Sequence, residues 1–136
     1  MENYLSFETF KDRINKELYI DRSKLDLMAA ENPLLIQKYL NLWFEKSADL
    51  NKMELKLDQL MKEKLIHYKT DFKLVPETVK ELSMLIKGDD EVSKLNEIII
   101  VLSTRVSYLH QVVQNFKERS WAIKNVIEFR KFIEGE

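Results

Sequence analysis

Cysteine is absent from the 136-residue chain, which excludes disulfides and thiolate metal sites and fits a reducing compartment. Glycine and proline number two each, so tight hairpins have few places to form and a small set of long helices is expected. The same scarcity rules out a phosphate-cradling loop of the Walker type. The longest apolar run, Ile98 to Leu102, is far short of a membrane span. The start Met1-Glu2-Asn3-Tyr4 has no basic region ahead of an apolar stretch, so no secretory signal is read and a cytoplasmic chain is expected. Excess charge of one sign is missing too. Lys and Arg total 22 against 23 Asp and Glu, a formal net charge of -1. Such a chain has no global attraction for nucleic acid, and any nucleic-acid site must be a local concentration of cations.

What is present is helical periodicity in a length that suits one domain. Phe7, Phe10, Ile14 and Leu18 predict a first amphipathic helix, and Asp21 or Ser23 can cap a second starting near Lys24. Asn32-Pro33 reads as N-cap and first residue of a long third helix. Its stripe runs through Ile36, Leu40, Trp43, Ser47, Leu50, Met53, Leu57, Leu60, Met61, Leu65 and Tyr68. A helix of that length needs a partner along it, within or between subunits. Lys69 to Val75 reads as a connection, and Pro76 as the opening of a short helix through Ile86. Lys87-Gly88-Asp89-Asp90 predicts a break with an Asp cap. From Glu91, the spacing of Val92, Leu95, Ile98/Ile99, Leu102, Val106, Leu109, Val113 and Phe116 predicts another long helix. Arg119-Ser120 reads as a bend before a final helix carrying Ala122, Val126, Phe129 and Ile133 on one side. The fold class expected is all-α.

Candidate chemistry is sparse. His67 and His110 lack a second ligand at metal spacing, and Asp89-Asp90-Glu91 reads as a helix cap rather than a cation loop. No metal or cofactor is expected, and an enzymatic reading would need a pocket gathering Asp89, Glu91 and His110. Two basic clusters remain. Lys62, Lys64, Lys69 and Lys73 stand among His67, Tyr68 and Phe72, supplying the cations and flat rings that unpaired nucleic acid requires. The alternative is a solvated helix end with Tyr68 in the core. Lys117, Arg119, Lys124, Arg130 and Lys131 surround Trp121, where service at helix ends competes with DNA contact. Glu77 to Glu97 is acidic, with six carboxylates against three lysines. The apolar residues Val126, Ile127, Phe129, Phe132 and Ile133 either complete the intrachain core or dock on another subunit.

Two segments near the ends, taken in order and separation, resemble the UvsY family of phage recombination mediators. They are Tyr19-Ile20-Asp21-Arg22-Ser23-Lys24-Leu25 with Ala29-Ala30-Glu31-Asn32, and Lys117-Glu118-Arg119-Ser120-Trp121-Ala122-Ile123-Lys124 with Phe129-Arg130. The resemblance runs from about Phe7 to Glu136. It implies a small helical protein that binds single-stranded DNA without sequence preference and loads a RecA-like recombinase onto strands coated by single-strand-binding protein, in phage DNA recombination, repair and replication. It assigns DNA contact to Lys62 and Lys64, with Tyr68 in support; Lys69 and Lys73 join them from the basic cluster itself. The family carries Arg where Lys64 stands, and Lys cannot make the forked phosphate contact of Arg. Glu63 and His67 also depart from the family's local pattern. The family has a small residue at the place of Ser120 and an aromatic at that of Trp121.

The resemblance further implies an elongated subunit in a ring-like homo-oligomer, a hexamer or heptamer, joined through Trp121, Ile123, Val126, Ile127, Phe129 and Ile133. DNA binding would then fall to residues 1–75 and assembly to residues 76–136. Implied partners are a UvsX-type recombinase and the phage single-strand-binding protein, in the host cytoplasm, with no membrane. The alternative is a non-enzymatic helical oligomeric adaptor that never meets nucleic acid.

Overall fold

A computed structural model of the protein describes residues 4–70 and 79–135. Four α-helices and no strand occur among them: α1 Tyr4–Leu18, α2 Leu25–Thr70, α3 Val79–Lys87 and α4 Asp90–Ile133. The expected opening of a helix at Pro76, and Lys73 and Phe72 of the first basic cluster, lie outside the described residues. The all-α fold class holds.

The chain divides into two units, residues 1–43 with 108–136, and residues 44–107. In the first, α1 and parts of α2 and α4 meet over Ile14, Tyr39, Leu109, Val112, Val113 and Phe116. Tyr39 is fully buried and stacks on Phe116, with centroids 5.0 Å apart and planes 11° from parallel. Its hydroxyl donates to Glu17 Oε2 at 2.8 Å, and burial, then that carboxylate, push its pKa up. In the second unit, Leu82, Ile86 and Val92 form a smaller core against Leu57, Leu60 and Tyr68. Most of these residues belong to the apolar stripes the sequence shows, but Tyr39, Val112 and Leu82 do not, and Met61, Leu65 and Ile98 of those stripes are exposed.

Two expected breaks are absent. Asn32 does not cap a new helix: Pro33 lies inside α2, and Asn32 is buried instead in a polar contact with α4. Pro33 forgoes one i→i−4 bond, which a long helix tolerates when its neighbours hold it. Arg119-Ser120 likewise lies within an unbroken α4, because both side chains are spent on that contact. Where α2 does begin, Asp21 shapes the turn, its carboxylate accepting from Ser23 N at 2.9 Å and Ser23 Oγ at 2.6 Å. Lys24 O then accepts the first helical bond from Met28 N at 3.0 Å.

The break at Lys87 to Asp90 is present as expected. Asp89 Oδ1 accepts from Glu91 N at 2.9 Å and Val92 N at 3.4 Å, satisfying two donors at the start of α4. Gly88 does not take a left-handed conformation; its need is for space, since a Cβ there would stand 3.3 Å from Met84 O. Ile98 to Leu102 is helical, with Ile98, Ile100 and Val101 exposed.

Candidate nucleic-acid interface

The last turns of α2 present the first basic cluster within the second unit. Lys62 and Lys69 stand at exposed positions, and neither makes an ion pair among the described residues. Lys64 is different. Its ammonium lies 3.3 Å from Asp89 Oδ2 and 3.3 Å from Glu91 Oε1, and only 18% of its side chain is exposed. Partial desolvation would lower its pKa, but the hydrogen bonds to Glu91 and Asp89 outweigh this and hold it above the ordinary lysine value.

Tyr68 joins the same knot. Its hydroxyl donates to Asp89 Oδ2 at 2.8 Å, which raises the phenol's pKa, while its ring packs on the Leu82, Ile86 and Val92 core. Asp89 thus accepts from Tyr68, Lys64 and two backbone amides. Desolvation pushes its carboxyl upward, yet these donors together leave it below the usual carboxylate range. His67 is exposed, with its ring 5.1 Å from that of Tyr68 at 68°. Among the described residues, the available cations of this face are Lys62 and Lys69. Lys64 is reached only by displacing a carboxylate, and the Tyr68 ring is half-buried.

The second basic cluster does not form one surface. Arg119 is buried, 5% exposed, and its guanidinium crosses to the end of α1. Nε donates to Leu18 O at 3.0 Å, Nη2 to Tyr19 O at 3.1 Å and Nη1 to Asn32 Oδ1 at 2.7 Å. Asn32 Nδ2 in turn donates to Phe116 O at 2.8 Å and Ser120 Oγ at 2.6 Å. Burial lowers the pKa of Arg119, opposed by the fields of Glu31 and Glu17. Arg130 Nη2 donates to Arg22 O at 2.8 Å, and Lys124 Nζ sits 5.4 Å from the Trp121 ring centre. Two of the cluster's five cations, Arg119 and Arg130, thus serve backbone carbonyls within the chain.

The residues assigned to assembly divide. Ile123 is 1% exposed and belongs to the core of its own unit. Val126 and Ile127 are half-buried, whereas Trp121, Phe129 and Ile133 are each more than 60% exposed, with Phe132 beside them at 80%. Asp89 and Glu91 both face Lys64, and His110 packs on Trp43 with ring centres 5.5 Å apart. No group of three or more metal-ligating side chains occurs among the described residues, and no described helix is long and apolar enough to cross a membrane.

Asn32 and Glu91 are read in the sequence as parts of helix caps, and nothing there points to the contacts they make. Their partners stand 84 to 88 and 27 positions away, and only the packing of helices brings them together.

Comparison with known proteins places these features in a family. The family described as "Recombination, repair and ssDNA binding protein UvsY" matches residues 13–136. The recombination protein UvsY of Enterobacteria phage T4 is 22% identical over 137 residues, covering 97% of this chain and all of that protein. Two crystal structures of the bacteriophage T4 recombination mediator protein UvsY share the fold. One aligns with a TM-score of 0.86 at 23% identity over 93% of this chain and 96% of that one. The other gives 0.83 at 22% identity over 92% and 96%.

Proposed function

Because this chain belongs to the UvsY family of recombination, repair and single-stranded-DNA-binding proteins, we propose that it is a recombination mediator acting by binding alone. It holds single-stranded DNA without sequence preference and promotes loading of a RecA-like, UvsX-type recombinase onto strands coated by the phage single-strand-binding protein, in the host cytoplasm. The observation that carries this reading is the exposed lysine pair Lys62 and Lys69 flanking Lys64 on one helix end, in a chain whose net charge is -1. A neutral-to-acidic protein can retain a phosphate backbone only through such local cations.

Lys62 and Lys64 make the central contact, with Lys69 and Lys73 extending the track and Tyr68 fixing the helix end. Each copy grips weakly. A ring-like homo-oligomer, a hexamer or heptamer, multiplies those grips on one strand, because every contact after the first is intramolecular. Assembly uses the exposed Trp121, Phe129 and Ile133, supported by Val126 and Ile127, with Ile123 holding their helix in place. DNA contact thus falls to the first part of the chain, about 1–75, and assembly to the part from about 76.

Salt-dependent titration of a fluorescent single-stranded oligonucleotide tests the assignment. Lys62→Ala/Lys64→Ala is expected to weaken binding at least tenfold and to flatten the salt slope by about 0.7 for each phosphate that is no longer neutralised. Equal affinity and slope in variant and wild type would remove the site.

A further inference from the structure

Lys64 lies among carboxylates in the folded subunit. Asp89 and Glu91 approach its ammonium equally, at 3.3 Å each, but the two acids are differently held. Asp89 is 10% exposed and fixed by Tyr68 and two amides of α4. Glu91 is 69% exposed and engages Lys64 by its tip. Asp89 is therefore a permanent fixture of the helix junction, whereas Glu91 can swing into solvent at little cost.

We propose that Glu91 is an internal competitor for the DNA site, occupying the Lys64 ammonium as an incoming phosphate would and yielding it only when a strand displaces the carboxylate. This rests on the reading of Lys62 and Lys64 as the DNA element and adds a device that sets its affinity. The geometry supports exchange rather than blockade. A partly exposed ion pair is worth little, so one phosphate competes with it on near-equal terms. A strand spanning several copies wins at each of them once the first is displaced. Glu91 thereby weakens isolated contacts more than it weakens a long strand held by many subunits. Its place in the first turn of α4 also gives the released carboxylate a favourable position at the positive end of the helix dipole.

The experiment compares wild type, Glu91→Gln, Glu97→Gln, Lys64→Ala and the double variant Glu91→Gln/Lys64→Ala in titrations of one fluorescent single-stranded oligonucleotide at fixed salt. Glu97 is an exposed carboxylate of the same helix with no ion pair among the described residues, so its variant makes the same change in net charge. Glu91→Gln is expected to tighten binding about two- to five-fold, the scale of one partly exposed pair. Glu97→Gln should stay within error of wild type, and the gain should vanish in the Lys64→Ala background. Equal affinity of Glu91→Gln and wild type, an equal gain from Glu97→Gln, or a gain that survives removal of Lys64 would each overturn the competitor role while leaving DNA binding intact. If wild type and every variant fail to retain the oligonucleotide, the DNA-binding reading itself falls and the competitor with it.

Discussion

At Arg119 a guanidinium with no carboxylate in direct contact is stabilised by three oxygen acceptors: the carbonyls that end α1 and the amide oxygen of Asn32. Removing it leaves three polar groups without their donor, each costing about 1–3 kcal/mol when buried. Arg119→Ala is expected to lower unfolding stability by at least about 3 kcal/mol in urea titration, and Arg119→Lys to recover only part, since an ammonium lacks the planar fork that reaches all three. Asp89 gives a charge-specific case. Its pKa is depressed in the folded state, so its contribution is present above the unfolded carboxyl value of about 3.9 and is lost as pH falls through the lower folded one. Asn also caps helices well. The stability gap between wild type and Asp89→Asn should therefore be widest near neutral pH and close below about pH 4. A gap independent of pH would mean that the cap, rather than the charge, is what Asp89 contributes.

The elements are longer than local signals suggest. Pro33 is exposed, and it interrupts the ladder of α2 in its third turn. Pro33→Ala is expected to stabilise the protein, by up to about 3 kcal/mol, read as an upward shift in denaturation midpoint. The proline and the Arg119-Ser120 step are both legible as places where a helix could stop. Neither stops one, because Asn32 joins the two sites across α2 and α4 through bonds to Arg119, Phe116 and Ser120. Tertiary packing overrides local propensity at those positions. At Asp89 the local signal and the packing agree, and the break stands. The true end of α4 uses Gly135 at φ +75°, the left-handed conformation that glycine adopts without strain.

At the scale of the whole molecule, α4 leaves Trp121, Phe129, Phe132 and Ile133 uncovered in the subunit. Phe129→Asp/Ile133→Asp should preserve the helical fold by circular dichroism and give smaller species by light scattering. Variants that remain at the wild-type mass would move assembly elsewhere, for example to the exposed Ile98, Ile100 and Val101. The all-helical class, both long apolar stripes, the capping Asp89 and the basic character of the α2 end could be read from the chain, because periodicity, breaker scarcity and charge clustering are local properties. Contacts between residues far apart in sequence could not. Which lysine meets carboxylates and which meets water, that Arg119 closes α1 rather than facing solvent, and that Ile123 turns inward while Phe129 turns outward depend on helix register. Register follows from how whole faces interlock, and no window of a few turns contains it.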